Sequence, residues 1–137
     1  ANIDLKLLTM PSNKRKFGDV GENDAKEYLV SFGFAIIETN YKKPWGEIDI
    51  VAEKGGIIRF VEVKTSKYYP GSSFTPEIRV DWRKRKKLKR ICETYLYEHK
   101  ASKDQKWQID VISVILNEDD SVREINHIEN AVFEKPY

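Results

Sequence analysis

The sequence predicts an α/β domain in which helices flank a small mixed sheet, with the element order αβββαβ and a short β tail. Three observations support this class. Apolar residues recur at helical spacing in two segments, near residues 20–32 and 81–97. Runs rich in Ile and Val that alternate with polar residues lie between and after these segments. The 137 residues fit a single domain, and we find no internal repeat and no linker between two cores.

Each predicted helix carries one apolar stripe. The stripe of the first helix consists of Ala25, Tyr28, Leu29 and Phe32. Gly33 is expected to end this helix, and Asp81 is the expected N-cap of the second helix. The stripe of the second helix consists of Leu88, Ile91, Cys92, Tyr95 and Leu96. The predicted strands cover residues 34–40, the two arms of a hairpin between Gly46 and Lys64, residues 107–116 and residues 122–128.

The hairpin, GEIDIVAEKGGIIRFVEVK, places acids where an apolar core face is usual. With a two-residue turn at Gly55-Gly56, Asp49 faces Glu62 and Glu47 faces Lys64. A four-residue turn would instead pair Glu47 with Glu62. In both registers the acids and Lys64 share one face of the sheet, because successive side chains alternate between faces.

This acidic face fits metal-assisted phosphodiester chemistry. Facing carboxylates repel unless a cation lies between them. Asp49 and Glu62 can supply oxygen ligands for Mg²⁺ (or Mn²⁺) with open positions for water and phosphate. Lys64 lies two residues after Glu62 and can act on the attacking water. The alternative is a half-solvated sheet face on which Glu47 and Lys64 form a surface ion pair, with Glu47 a secondary candidate for the site.

Two further acids are candidates for the same site. Glu22 continues the stripe of the first helix and could reach the hairpin, or it could complement the helix dipole. Asp110 lies in the middle of a predicted strand, and we favour a structural hydrogen-bonding role over a ligand role.

Positive charge is concentrated in one run of the chain. Residues 83–90 read RKRKKLKR, with seven basic residues among eight, although the formal net charge is only +2. Such a run is typical of proteins that bind phosphates. We expect contacts with nucleic acid, DNA above all, from Arg83, Lys86, Lys87 and Arg90. The alternative is a solvated helix face.

The remaining expectations concern the boundaries and the environment of the chain. Residues 1–16 are predicted to be a flexible N-terminal extension, of which residues 1–9 look non-native, and residues 17–137 form the domain. The single Cys92 allows no internal disulfide, so a cytoplasmic location is expected. No apolar run approaches 18 residues, so no membrane-spanning helix is predicted.

The sequence resembles a known family. GEIDIVA followed by FVEVK, with an upstream Gly-x-x-Gly-Glu, is similar to the YraN-like family of small bacterial proteins. Their fold is that of the PD-(D/E)XK nucleases, the superfamily of restriction endonucleases and archaeal Holliday junction resolvases. The similarity runs from Phe17 to Phe133. It includes short fragments in the same order: Asn40-Tyr41, Val80 with Lys84, Tyr95-Leu96, Ile109-Asp110-Val111 and residues 127–131.

The resemblance implies roles for individual residues. It assigns metal binding to Asp49 and Glu62 and catalysis to Lys64. It also matches Glu22 with the acid of the first helix, an accessory metal ligand in the site. Ser66 departs from the family pattern, which has Arg at this position. The implied function is a Mg²⁺-dependent endodeoxyribonuclease in DNA processing or repair, with branched DNA among its substrates. The alternatives are a catalytically inactive nucleic-acid-binding module and a protein-interaction domain. Resolvase-like cutting would need two sites and hence a homodimer.

Overall fold

The computed structural model describes residues 13–71 and 82–131, with side chains for 17–71 and 83–131. The described chain forms, in order, α1 (Asn13–Ser31), β1 (Ala35–Lys43), β2 (Gly46–Lys54), β3 (Ile57–Lys67), α2 (Trp82–Glu98), β4 (Lys106–Leu116) and β5 (Val122–Ile128).

The strands form one mixed sheet in the spatial order β1-β2-β3-β4-β5. The first three strands are an antiparallel meander. β3 and β4 are parallel, as expected for strands joined through a helix, and β5 is antiparallel to β4. The predicted mixed sheet with flanking helices is therefore confirmed.

Two apolar cores separate the sheet from its helices. The α2-side core consists of Tyr41, Ile48, Val51, Phe60, Leu88, Ile91, Cys92, Tyr95, Ile109 and Val111. The α1-side core consists of Ala25, Leu29, Phe34, Ile50, Ala52, Val61, Ile112, Val114 and Leu116. Because apolar residues of the middle strands feed both cores, the sheet is buried on both faces, with one helix over each.

The β2–β3 turn has two residues. Gly55 and Gly56 both have positive φ, 62° and 77°, which only glycine adopts without steric cost. The paired residues run from Lys54–Ile57 to Ile50–Val61. This is the first of the two predicted registers, but the ladder stops one pair before Asp49 and Glu62. The predicted pairing of Glu47 with Lys64 is wrong, since this ladder does not reach Glu47; Glu47 pairs only on the other side of β2, with Lys42 of β1.

The predicted ends of α1 need correction. The helix begins at Asn13 rather than near Val20, so residues 13–16 of the predicted extension are helical. Its first turns are rich in Lys and Arg, which are good helix formers, but they lack an apolar period that would reveal a helix. Phe32 follows the helix and is 57% exposed, whereas Phe34 fills the core.

Other boundaries differ by a few residues. β1 extends to Lys43, because Lys42 and Lys43 still pair with β2. The expected N-cap Asp81 and residues 1–12 lie outside the described part of the chain. Within that part, neither helix combines the length and the apolar character that crossing a membrane would require.

Candidate active site

The side-chain alternation of β2 breaks at Asp49. Ile48 and Val51 both pack in the α2-side core, while Ile50 packs in the α1-side core. The break falls where the ladder with β3 ends. Here the Asp49 side chain connects β2 to β3, since its Oδ2 accepts a hydrogen bond of 2.8 Å from the backbone N–H of Val63.

A cleft of about 280 Å³ opens beside Asp49. Its lining combines hairpin acids, lysines of α2 and an apolar part: Trp45, Gly46, Glu47, Asp49, Glu62, Lys84, Lys87, Leu88 and Ile91. The cleft therefore brings the acids of the hairpin together with part of the basic run.

The electrostatics of Asp49 indicate convergent acids. The pKa of Asp49 is raised to about 7, first by burial and then by the charges of Glu22, Glu47 and Glu62, against the lowering effect of the Val63 hydrogen bond. Burial, followed by the charges of Glu47 and Asp19, also raises the pKa of Glu22. The predicted acids of α1, β2 and β3 thus lie close enough to repel one another.

Asn40 connects two of these acids. With its side-chain nitrogen turned toward them, Asn40 donates to Glu47 Oε1 and Glu22 Oε2, each at 3.3 Å. This orientation is required because carboxylates only accept. Asn40 has φ of 54°, a left-handed conformation that asparagine tolerates better than most residues. Sequence reasoning placed Asn40 in the family pattern but missed this linking role.

Lys84 is a cleft residue that the predicted set of site residues omitted. Its ammonium group forms an ion pair with Glu62 Oε1. The second oxygen, Oε2, is buried and has no hydrogen-bond partner among the described residues. Lys84 lies four residues before Leu88, so extending the apolar stripe of α2 by one turn would have found it.

The predicted catalytic lysine lies on β3, and the predicted DNA contacts lie on α2. Lys64 is half-buried and shares the α2 face of β3 with Phe60 and Glu62, by alternation. The predicted contacts are all exposed on α2: Arg83, Lys86, Lys87 and Arg90. Of these, Lys87 lines the cleft.

Gly21 sets the position of Glu22. A Cβ on Gly21 would lie 1.8 Å from Thr65 Oγ1. Because this distance is far below any real contact, α1 can approach β3 this closely only with glycine at position 21. The close approach places Glu22 next to the hairpin acids.

Gly21→Ala is therefore expected to lower the free energy of unfolding by about 1–3 kcal/mol through overpacking against Thr65. Gly18→Ala is the matched control in the same helix, because no atom lies within 4 Å of a Cβ at that position. The control should gain up to about 1 kcal/mol from helix propensity. Urea unfolding of both variants measures the difference, and equal effects would contradict the close packing of α1 on β3.

A second polar cluster lies on the other side of the sheet, around Asp110. Ligand atoms of Asp110, His127 and Glu129 all lie within 4.8 Å of one another and could hold a metal ion. Glu22, Asp49 and Glu62 are not part of that group. The cluster already contains a cation, because Arg59 Nη1 lies 3.2 Å from Asp110 and 2.8 Å from Glu129.

Asp110 is fully engaged by its neighbours. Its oxygens contact Arg59 Nη1 at 3.2 Å, His127 Nε2 at 2.9 Å, Gln108 Nε2 at 2.8 Å and the backbone N–H of Asn130 at 2.9 Å. The hydrogen bonds from His127 and Asn130 hold the pKa of Asp110 below its usual value, although burial opposes them. These contacts agree with the predicted structural role.

The mixed sheet between two helices, with convergent acids where β2 and β3 separate, defines a protein with a restriction-endonuclease-like core. A family model described as "Uncharacterised protein family UPF0102" matches residues 21–114. The chain belongs to this family, the YraN family, as its resemblance predicted.

Relatives confirm the assignment over nearly the whole domain. A "UPF0102 protein" of Caldicellulosiruptor saccharolyticus is 37% identical over 123 residues, covering 87% of this chain and 98% of the relative. Another of Dictyoglomus thermophilum is 35% identical over 119 residues, with the same two coverages, 87% and 98%. A third, of Fervidobacterium nodosum, is 41% identical over 119 residues, covering 86% of this chain and 82% of the relative.

Proposed function

We propose that this protein is a metal-dependent nuclease that hydrolyses DNA phosphodiester bonds in DNA processing or repair. The observation that carries the proposal is the convergence of Glu47, Asp49 and Glu62 on one cleft, where burial first and the charges of the neighbouring acids second raise the pKa of Asp49 to about 7. Like charges held together in a partly buried cleft are costly unless a cation is bound between them. A site that keeps them is therefore built for such a cation.

The residues fit Mg²⁺ or Mn²⁺. Both ions prefer carboxylate oxygens, and Asp49 and Glu62 would hold the ion, with Glu22 as an accessory ligand. The buried Oε2 of Glu62, which no described residue satisfies, is the ligand atom best placed for this role. When bound, the ion would polarise the scissile phosphate and lower the pKa of the attacking water.

The other side chains bind and orient the substrate. Lys64, next to Glu62 on the same face, would position the water and stabilise charge that develops on the phosphate. Lys84 holds Glu62 Oε1 through its ion pair. The exposed cations of α2 would contact DNA phosphates without reading bases: Arg83, Lys86, Lys87 and Arg90.

One observation favours a second candidate, a nucleic-acid-binding module that does not cleave. The Lys84–Glu62 ion pair already supplies one positive charge to the acids, so the site could be neutralised in part without metal. This candidate predicts salt-sensitive binding and no metal-dependent cleavage.

The proposed location is the cytoplasm. Cys92, the single cysteine, is buried and reduced in the α2-side core. It therefore needs no oxidising compartment.

The test is a cleavage screen with Mg²⁺ or Mn²⁺ on linear, flap and four-way-junction DNA. We expect cleavage of at least one substrate, and Lys64→Ala should slow it about 10²–10³-fold, because it removes transition-state stabilisation. The same variant should bind DNA in EDTA with nearly the affinity of the unaltered protein. Lys103→Ala, which removes a lysine exposed in the turn after α2, is the control and should cleave normally. Salt-sensitive binding without cleavage of any substrate would establish the second candidate instead, and paired cuts across the junction would indicate a homodimer.

A further inference from the structure

The apolar part of the cleft lining has no role in phosphodiester hydrolysis. It is formed by Trp45 from the turn between β1 and β2, together with Leu88 and Ile91 of α2. Trp45 is 37% exposed. Acids and cations suffice for the hydrolysis itself, so an exposed indole beside them calls for a separate ligand group.

The Trp45 ring is held by a cation. The guanidinium carbon of Arg90 lies 4.7 Å from the ring centroid, within the range of a cation–π contact. The contact joins the β1–β2 turn to α2 at the Trp45 side of the cleft. It therefore orients the ring in the free protein, which lowers the entropic cost of stacking on it.

The charges beside Trp45 match a nucleic-acid strand. Lys87 lines the same cleft, and Arg90 is one helical turn further along α2. An aromatic platform next to a row of cations is the arrangement by which proteins hold single strands, since bases stack on the ring while phosphates meet the cations.

The size of the cleft limits the ligand. Its volume of about 280 Å³ is near the lower end for small-molecule sites, about 300 Å³, and therefore suits a single nucleotide. A base inside a duplex is stacked on both sides, so its flat face cannot reach Trp45 unless the base leaves the helix.

We propose that Trp45 stacks on an unpaired nucleobase next to the cleft acids, so that the preferred substrate is single-stranded DNA or the unpaired segment of a branched structure. This inference rests on the proposed function for its substrate class. The Arg90 contact orients the platform, and the cations of α2 hold the adjoining phosphates.

The test measures binding in EDTA and so does not depend on cleavage. Fluorescence anisotropy compares a labelled oligo(dT) strand with a duplex of equal length. Trp45→Ala should weaken strand binding about 5- to 150-fold, the effect of losing one stacked base, and duplex binding less than twofold. Trp45→Phe should bind the oligo(dT) strand with an affinity within about threefold of that of the unaltered protein, because phenylalanine keeps an aromatic face. Tyr97→Ala removes an aromatic residue of α2 that is 86% exposed, and it should change neither affinity.

Abasic DNA provides a second measurement that needs no variant. An abasic strand keeps its phosphate charge but offers nothing to stack, so the unaltered protein should bind it at least about fivefold more weakly than oligo(dT). Equal binding of the two strands, or equal loss of strand and duplex binding in Trp45→Ala, would overturn the stacking proposal. If the protein cleaves DNA but binds oligo(dT) and the abasic strand equally, the stacking proposal fails and the nuclease proposal stands. Preferential binding of oligo(dT) without cleavage of any DNA would support stacking and refute the proposed nuclease activity.

Discussion

Replacing Asp49 by asparagine is expected to abolish metal-dependent DNA cleavage and, at the same time, to stabilise the folded protein above neutral pH. Cleavage should fall at least about 10³-fold, because a carboxylate ligand is lost where charge develops. The fold should persist, since asparagine can still accept the hydrogen bond from Val63.

The gain in stability follows from the raised pKa of Asp49. Folding moves this pKa from 3.8 to about 7, so the folded state binds more protons than the unfolded state between these pH values. The free energy of unfolding therefore falls as the pH rises from about 4 to 7. Each pKa unit corresponds to about 1.4 kcal/mol. Because the side chain is partly solvated, we expect a gain of about 2 kcal/mol for Asp49→Asn at pH 8.

Urea unfolding in EDTA at pH 4 and pH 8 measures this effect. The two proteins should be about equally stable at pH 4, and the variant more stable at pH 8. Glu53→Gln, which removes an exposed acid at the end of the same strand, should alter neither stability nor cleavage. Equal stability of Asp49→Asn and the unaltered protein at both pH values would show that folding does not raise the pKa of Asp49, and would contradict the partly buried acidic site that we propose.

The largest loss of stability is expected for Asp110→Ala. This change leaves Arg59, His127 and Gln108 without the acceptor that they share. Arg59 is buried and keeps only the largely exposed Glu129 as an ion-pair partner. Breaking a buried ion pair by removing one partner typically costs about 3–5 kcal/mol, which is a large part of the roughly 5–15 kcal/mol that holds an ordinary domain together. We therefore expect the variant to be largely unfolded or to melt far below the unaltered protein by circular dichroism.

Glu129→Ala is the matched control for Asp110→Ala. Glu129 contacts the same Arg59 atom, but its side chain is 58% exposed, so its loss should cost less than about 1 kcal/mol. The same melting curves with and without EDTA examine the metal-binding capacity of the cluster. A fall in stability in EDTA that Glu129→Ala does not share would assign a metal ion to Asp110, His127 and Glu129.

Local chemistry made much of the fold predictable. The Gly55-Gly56 turn determines the hairpin register, because both positions need positive φ. Period-2 alternation then predicts that Glu62 and Lys64 share a face. The start of α1 was not predictable in this way, because its first residues carry no apolar period.

Contacts between distant elements limited the prediction of the site. Asn40 links Glu22 to Glu47, and no periodicity in a single segment reports such a link. In the sequence Trp45 is only a residue of a turn, and its contact with Arg90 of α2 exists only in the folded chain. Lys84 could have been predicted, since it continues the apolar stripe of α2, but the many basic residues around it in the sequence concealed its place on the cleft side of the helix.

The hydrogen bond from Val63 to Asp49 gives the site an internal spectroscopic reporter. A backbone amide that donates to a carboxylate senses the charge of that carboxylate directly. The nitrogen and proton chemical shifts of Val63 should therefore follow the ionisation of Asp49 near pH 7, and change again when a divalent cation binds. A single amide resonance would then monitor proton and metal occupancy without any substrate.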